Sequence, residues 1–201
     1  MAGKKILSIG AESVIYLDGD TIVKDRVRKS YRIKQIDESL RRRRTRLEFN
    51  LMRRAFENRI DVPMPVRISK DEHKIYMEYI GDVGFKDNFS LKYIDKLGEE
   101  IAKMHRLGII HGDLTTANMM IKDGKIYIID FGLGYSSDKD EDKATDIFLL
   151  KNALETRHPK ESRAAFQRFL TAYKEAYGKQ FKGIETHLRD IESRRRYHEN
   201  S

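Results

Sequence analysis

The residues of this chain that could carry out chemistry lie in two short segments, each preceded by an apolar run. Asp113 and Asn118 stand five positions apart after the run Ile109–Ile110, and Asp130 directly follows the apolar residues 126–129. A carboxylate can accept the proton of a nucleophile, whereas an Asn oxygen and a second carboxylate can hold Mg²⁺ against nucleotide phosphates. These residue types therefore suit phosphoryl transfer, and the apolar runs predict that both segments emerge from buried structure.

Together, the two segments resemble the catalytic loop and the metal-binding segment of protein kinases. The first reads HGDLTTAN from His111 to Asn118, and the second reads DFG from Asp130 to Gly132. Each motif alone is a weak signal. Their order, their spacing and the apolar run before each of them make the joint signal specific.

The composition of the 201-residue chain limits the classes of protein to which it can belong. Its length suits one domain or two small lobes that share a cleft, and part of the usual carboxyl-terminal kinase lobe is expected to be missing. The chain has no cysteine, which excludes disulfides, thiolate metal sites and cysteine nucleophiles. No membrane-spanning run occurs and no signal-peptide segment follows Met1, so we expect a cytoplasmic protein without a membrane partner.

Positive charge is concentrated in one part of the sequence. From Lys24 to Arg46 there are eleven basic and three acidic residues, an excess that equals the net charge of +8 for the whole chain. This basic patch predicts a surface for a polyanion such as RNA. A solvated helix face with scattered counter-ions is the alternative. Three further arginines near the carboxyl terminus form a basic tail, namely Arg194, Arg195 and Arg196.

Three short strands are predicted at the start of the chain. They cover residues 5–9, 14–17 and 21–24. A protein kinase carries three glycines in the loop between the first two strands, whereas only Gly10 is present here. Glu12 brings a carboxylate close to where phosphates would pass, which is unfavourable unless a lysine or a metal offsets it. Lys24 ends the third strand, where a kinase keeps its phosphate-contacting lysine.

A long helix is predicted from Asp37 to Asn58, and Glu48 on it has two interpretations. Thr45 and Glu48 match a capping box, which would begin the helix at Thr45 and make Glu48 a local cap. Alternatively, the helix begins near Asp37, and Glu48 faces the sheet and forms the ion pair with Lys24 that a kinase needs. We favour the second interpretation because no helix breaker precedes Thr45.

The segment MEYIG from Met77 to Gly81 resembles the hinge of protein kinases. In that resemblance Met77 is the gatekeeper, the Glu78 carbonyl and the Ile80 N–H face the adenine, and Met120 forms the floor of the pocket. The remaining predicted elements are strands at 66–68, 74–79, 119–121 and 125–129, a polar loop at 135–142, and helices at 91–107, 143–154, 162–177 and 183–196.

Further segments resemble one family more closely than protein kinases in general. These are IGAES from Ile9, KDRVRKSYR from Lys24, RTRLE from Arg44 and EDKATD from Glu141. With the HGDLTTAN segment, they are similar to the small atypical serine/threonine kinase/ATPase subunit of the KEOPS (EKC) complex, the PRPK-type family. The resemblance implies an α+β, reduced bilobal protein-kinase-like fold. It comprises a small β-rich lobe with one long helix (1–80) and a shortened, mainly helical lobe with a basic tail (81–201).

The family resemblance also implies an activity and partners. It implies Mg²⁺- and ATP-dependent serine/threonine kinase activity, ATPase activity, or both. Its partners would be the catalytic subunit of a tRNA threonylcarbamoyltransferase and the other KEOPS subunits. The complex would support threonylcarbamoyladenosine modification of tRNAs that read codons beginning with A, with tRNA bound by the basic patch and the basic tail.

Residue by residue, the resemblance makes Asp113 the catalytic base, Lys24 the phosphate contact and Glu48 its partner. Asn118 and Asp130 become the Mg²⁺ ligands. The residues expected to contact ATP are Ile9, Gly10, Ala11, Glu12, Ser13, Ile15, Lys24, Met77, Glu78, Ile80 and Met120.

Two other classes of protein remain as alternatives. A small-molecule phosphotransferase of the aminoglycoside-kinase type also uses an HGD loop, but it would need an acidic, hydroxyl-binding lid where this chain has a basic tail. A non-catalytic, tRNA-binding scaffold with a kinase fold is the other alternative. The presence of Lys24, Asp113, Asn118 and Asp130 argues against the scaffold.

Overall fold

An antiparallel five-stranded sheet forms the N-terminal part of the protein. The structure is a computed structural model that describes residues 4–199, without the side chains of residues 195–199. The strands of the sheet are β1 Lys5–Ile9, β2 Ser13–Asp18, β3 Thr21–Arg26, β4 Pro65–Ile68 and β5 Lys74–Glu78. Their order is β1-β2-β3-β5-β4, so β3 is central. The pairing places Lys24 on β3 between Ile15 on β2 and Ile75 on β5. Lys24 is thereby held within the sheet and not at a free edge.

One long helix, α1 (Lys34–Glu57), packs against β4 and β5 of this sheet. The capping-box interpretation is wrong, because Thr45 lies inside the helix and is fully buried. Asp37 stabilises the first turn: its carboxylate accepts hydrogen bonds from the Lys29 N–H at 3.2 Å and from Arg41 Nε at 2.7 Å. The early start of α1 lets Glu48 face the sheet.

The C-terminal part is mainly helical, with four short strands. Its helices are α2 Ile94–Arg106, α3 Asp140–Arg157, α4 Ser162–Tyr177 and α5 Phe181–Glu199. The strands are β6 Ile109–Ile110, β7 Met119–Lys122, β8 Lys125–Ile128 and β9 Tyr135–Ser136. Helix α2 packs on α4, and α3 packs on α5. The strands form two pairs, β6 with β9 and β7 with β8.

Two predicted elements of this part are wrong at their ends. The helix predicted from residue 91 begins as a 3₁₀ turn, Leu91–Tyr93, and α2 starts at Ile94. The polar loop predicted at 135–142 instead contains β9 and the first turn of α3. That turn carries three acidic residues, Asp140, Glu141 and Asp142, which favour a helix N-terminus. The helix predicted at 162–177 is confirmed.

A single cluster of buried apolar side chains connects the two parts of the chain. It runs from Leu51 on α1 and Ile75 on β5 to Ile101 on α2 and Phe169 on α4, each at most 1 % exposed. The division into lobes at residue 80 and the cytoplasmic location stay predictions. Across the described residues, the helices are all too short or too polar to cross a membrane.

Candidate active site

Lys24 lies at the centre of the site, bonded to two carboxylates from distant parts of the chain. Its Nζ is 2.6 Å from Oε1 of Glu48 and 2.7 Å from Oδ1 of Asp130. Lys24 is 5 % exposed and Glu48 is 2 % exposed. The predicted pairing of Lys24 with Glu48 is therefore present, and it joins the sheet, helix α1 and the segment after β8.

These contacts set the charge states of the group. Burial acts to lower the pKa of Lys24, but the charges and hydrogen bonds of Glu48 and Asp130 outweigh it and raise that pKa above its usual 10.5. Burial likewise acts to raise the pKa of Asp130. The charge and hydrogen bond of Lys24 and the backbone N–H of Gly132 outweigh it, so the pKa of Asp130 lies below its usual 3.8. Both side chains are charged at neutral pH.

The backbone at Asp130 adopts an uncommon conformation that orients its carboxylate. Its φ is +63°, and its Oδ1 accepts a hydrogen bond from the Gly132 N–H at 3.1 Å. The carbonyl of Ile129 accepts a hydrogen bond from Nε2 of His111 at 2.9 Å. Such strain is held in place only where surrounding contacts over-determine it, which is typical of functional sites.

The catalytic loop brings Asp113 and Asn118 together. Asn118 Nδ2 donates to the backbone carbonyl of Asp113 at 2.9 Å and to its Oδ2 at 2.8 Å. This use of the amide nitrogen leaves Asn118 Oδ1 as an acceptor. Asp130 Oδ2 is likewise outside the hydrogen bonds found among the described residues. Two oxygens of the predicted metal ligands are thus available, and their chemistry fits Mg²⁺.

A buried carboxylate on α3 holds the catalytic loop, and sequence reasoning did not assign it a role. Asp146, 1 % exposed, accepts hydrogen bonds from the backbone N–H groups of His111 at 2.6 Å and Gly112 at 2.8 Å. Its Oδ2 also lies 3.3 Å from Nε2 of the buried His105. The available signal was an acidic residue inside the apolar stripe of a predicted helix, next to Ile147.

A cleft of about 330 Å³ adjoins Lys24 and is lined by both parts of the chain. The predicted ATP contacts that line it are Ile15, Lys24, Met77, Glu78, Ile80 and Met120. Lining residues that the sequence did not single out are Leu7, Ser8, Ile22, Met52, Pro63, Tyr79, Gly81, Ala117 and Ile129. A larger open groove of about 600 Å³ between α2 and α4 contains none of the predicted site residues.

The β1–β2 loop does not line this cleft as predicted. Ile9 is 74 % exposed, and Ile9, Gly10 and Ala11 line neither the cleft nor its neighbouring cavity. A register shift between Ile6 and Ser8 interrupts the pairing of β1 with β2, and Leu7 and Ser8 line the cleft instead.

A smaller cavity of about 190 Å³ adjoins the cleft on the side of the catalytic loop. Its lining residues are Glu12, Ser13, Lys24, Arg26, Asp113, Asp130, Gly132 and Leu133. The expectation that a lysine or a metal must offset Glu12 is wrong, because arginines do so. Glu12 is hydrogen-bonded to Arg44, and its oxygens lie 3.9 Å from Arg26 and 3.9 Å from Arg32. Burial acts to raise the pKa of Glu12, and these arginines outweigh it, so that the pKa is lowered.

Most of the basic patch is paired with acidic side chains. Lys24 and Arg26 are buried. Arg41 pairs with the buried Asp37. The exposed or half-exposed pairs are Arg42 with Glu38, Arg44 with Glu12 and Arg46 with Glu72. Among the described residues, no carboxylate lies within ion-pair distance of the exposed side chains of Arg28, Lys34 and Arg43.

The basic tail begins on the last turns of α5. Arg194 is exposed, and its Nε donates to the Asp190 carbonyl at 3.4 Å. The side chains of Arg195 and Arg196 lie outside the described part of the structure.

Comparisons with known proteins agree with this geometry. Residues 13–151 match the model of the RIO domain family. The chain is 39 % identical over 216 residues to the KEOPS complex subunit Bud32 of Pyrococcus abyssi, and the match covers 98 % of both chains. It is also 39 % identical to a probable bifunctional tRNA threonylcarbamoyladenosine biosynthesis protein of Methanobrevibacter smithii, covering 96 % of this chain but only 36 % of that protein.

Two solved structures share the fold. The Rio2 kinase from Chaetomium thermophilum superposes with a TM-score of 0.64 at 20 % identity, covering 96 % of this chain and 72 % of that one. WaaP in complex with acyl carrier protein superposes with a TM-score of 0.65 at 17 % identity, covering 96 % and 87 %. The predicted α+β, protein-kinase-like fold is confirmed.

Proposed function

Because this chain belongs to the RIO domain family and to the family of the KEOPS complex subunit Bud32, we propose that it is a Mg²⁺- and ATP-dependent atypical serine/threonine kinase, ATPase, or both. The observation that carries the proposal is the convergence of Lys24, Glu48 and Asp130 beside the Asp113–Asn118 pair. A buried lysine between two carboxylates, next to a cleft, suits the binding of nucleotide phosphates.

In this proposal, each residue of the site has a defined role. Lys24 binds the phosphates, and Glu48 keeps its ammonium group directed into the cleft. Asp113 accepts the proton of the attacking hydroxyl or water. The oxygen of that nucleophile then bonds to the γ-phosphorus while the bond to the bridging oxygen breaks, and ADP leaves. Asn118 holds Asp113 in position through the 2.8 Å hydrogen bond.

Asn118 Oδ1 and Asp130 Oδ2 would hold Mg²⁺, which supplies neutralisation of phosphate charge when bound. A solved neighbour, the Rio2 kinase-ADP/Mg²⁺-phosphoaspartate complex from C. thermophilum, contains ADP and Mg²⁺. Asp130 keeps its Oδ1 on Lys24 and Gly132. The same carboxylate therefore orients the lysine with one oxygen and presents the other to a cation.

The partners proposed for the chain are the catalytic subunit of a tRNA threonylcarbamoyltransferase and the other KEOPS subunits, acting on tRNAs that read codons beginning with A. The chain spans 36 % of the length of the bifunctional relative from M. smithii. This partial coverage supports the proposal that the chain acts together with a second protein activity in tRNA threonylcarbamoyladenosine biosynthesis. For tRNA we propose Arg28, Lys34, Arg43 and the basic tail as contacts, because those patch side chains are exposed and unpaired by carboxylates among the described residues.

Neither alternative explains the site as well. The aminoglycoside-kinase alternative needs an acidic lid after the DFG segment. The match to Bud32 over 98 % of both chains disfavours this alternative. The non-catalytic scaffold does not explain why the charged side chains of Lys24 and Glu48 are buried together beside Asp130, although buried charges are costly.

The test of the proposed function is ATP hydrolysis measured with and without tRNA and the partner transferase. We expect magnesium-dependent release of ADP from the chain alone, and a change of rate when both partners are added. A chain that releases no ADP under any of these conditions contradicts the proposal.

A further inference from the structure

Arg26 is a charged side chain of the small cavity to which the tasks above assign no role. It lies on β3 two residues after Lys24, and it is 4 % exposed. Its Nη2 donates to Oε2 of Glu48 at 2.5 Å, while its buried Nε has no hydrogen-bond partner among the residues that the structure describes. A guanidinium carries five N–H donors, so most of its capacity is not used by the protein.

Lys24 and Arg26 both bind Glu48, but their other contacts differ. Lys24 binds one oxygen of this carboxylate and Arg26 binds the other, and Lys24 also binds Asp130. Glu12 does not hydrogen-bond Arg26, because its Oε2 lies 3.9 Å from Arg26 Nη1 and is hydrogen-bonded to Arg44. Among the described residues, Arg26 thus hydrogen-bonds one carboxylate where Lys24 hydrogen-bonds two, and its remaining Nη–H donors can bind a further acceptor.

Arg26 and Lys24 point towards the same place. A Cβ added at Gly132 would lie 3.4 Å from Lys24 Nζ, 3.5 Å from Arg26 Nη2 and 2.9 Å from the Asp130 Oδ1 that binds Lys24. The cavity of about 190 Å³ beside this point is also lined by Asp113. An anion in it would therefore contact both cations and adjoin the residue assigned as the base.

We propose that Arg26 binds the γ-phosphoryl group of ATP in this cavity, while Lys24 binds the inner phosphates; this inference rests on the proposed function. A guanidinium matches the geometry of phosphate oxygens and stays charged at every working pH. The γ-phosphoryl oxygens supply acceptors for the N–H donors of Arg26 that Glu48 does not use. Arg26 then distinguishes ATP from ADP.

A positioning role is the competing explanation, in which Arg26 only holds Glu48 in place for Lys24. The two roles differ in which nucleotide they affect. Loss of a γ-phosphoryl contact weakens ATP binding and leaves ADP binding nearly unchanged. Loss of support for Glu48 weakens both nucleotides equally, because the inner phosphates are common to them.

The experiment is calorimetric titration of the full chain with Mg-ATP and with Mg-ADP. The variants are Arg26→Gln and the control Arg53→Gln, which changes an exposed arginine on α1. For Arg26→Gln we expect the affinity for ATP to fall about 10- to 100-fold, the range for a charge-assisted hydrogen bond, with that for ADP nearly unchanged. Arg53→Gln should bind both nucleotides as the parental protein does.

Three results would overturn the inference. An equal loss for ATP and ADP assigns Arg26 to positioning alone, and unchanged binding of both assigns it no role. If Arg26→Gln does not fold, the same titrations are made with Arg26→Lys, which keeps the charge beside Glu48 but lacks the forked donors. An unaltered preference of Arg26→Lys for ATP over ADP then rejects the inference. A parental protein that binds neither nucleotide contradicts the proposed function itself, whereas the first three outcomes leave it standing.

Discussion

Lys24 Nζ lies 2.7 Å from Asp130 Oδ1 although 106 positions separate the two residues in the sequence. Lys24 is on the central strand of the sheet, and Asp130 follows β8 in the mainly helical part. The contact therefore bridges the two parts of the chain at the cleft. It also places a charged ammonium and a carboxylate together where phosphates and a cation would meet, which is the basis of the function proposed above.

Replacement of Asp113 tests its role as the base. Asp113→Ala should lower ATP turnover and autophosphorylation by about 10²–10⁴-fold, the usual contribution of a general base. Nucleotide affinity should change little, because the role proposed for Asp113 is to contact the nucleophile and not the nucleotide. The measurement is steady-state turnover with nucleotide titration, and Asp20→Ala in the β2–β3 turn is the control. Unchanged turnover, or a variant that does not fold, would make Asp113 structural.

The Lys24–Asp130 pair predicts a defined pH dependence of stability. Because the pKa of Asp130 is below 3.8 in the folded protein, its carboxylate stabilises the fold above that pH, and the effect is lost as the pH falls through the folded pKa. The pKa of Lys24 is raised above 10.5, so its contribution is lost only in strong alkali.

The free energy of unfolding of the parental protein and of Asp130→Asn should therefore differ by a constant amount between about pH 5 and pH 9. The difference should shrink below pH 3.8. Urea unfolding at a series of pH values measures it. A difference that varies steadily across the neutral range would mean that another group titrates against Asp130.

The close packing of α2 on α4 depends on Gly98. An added Cβ would lie 2.6 Å from the Phe169 carbonyl oxygen and 3.0 Å from the Ala172 Cβ. Gly98→Ala should therefore destabilise the fold by about 1–3 kcal/mol, as overpacked cores do. Gly84→Ala is the control, since the nearest atom to its added Cβ is 3.7 Å away. Equal unfolding midpoints for both variants would contradict the packing described here.

The basic tail is expected to contribute to tRNA binding and not to catalysis. Its removal from Arg194 onward spares the buried residues Ile184 and Leu188 of α5. Affinity for tRNA should fall, and the log–log salt slope should flatten by roughly 0.7–0.9 for each tRNA phosphate that the protein no longer binds. Basal autophosphorylation should not change. The matched full-length variant replaces the three arginines of the basic tail by glutamine. A salt slope that is unaltered in both variants would show that the basic tail does not bind tRNA.

Much of the site could be predicted because its chemistry is carried by short motifs. Lys24, Glu48, Asp113, Asn118 and Asp130 were named from spacing and resemblance, and the structure brings all five together. The family resemblance itself is confirmed by the full-length match to Bud32. Their catalytic and metal-binding roles stay predictions until turnover is measured.

The rest depends on tertiary contacts that a sequence does not display. Asp146 binds backbone N–H groups 34 and 35 positions away, so no local motif marks it. The pairing of Glu12 with Arg44 joins the β1–β2 loop to α1 across 32 positions. Leu7 lines the cleft instead of Ile9 because the pairing of β1 with β2 shifts register between Ile6 and Ser8. The alternation of apolar and polar residues along a strand cannot locate such a shift.

The central claim is that this cleft transfers the phosphoryl group of ATP with the help of a metal held by Asp130. The most direct test is ATP turnover by the parental protein and by Asp130→Asn across a Mg²⁺ titration. We expect Asp130→Asn to lose most of its turnover and to need more Mg²⁺ for what remains, because one metal ligand is weakened while the fold is intact. Parental turnover by Asp130→Asn at limiting Mg²⁺ would contradict it.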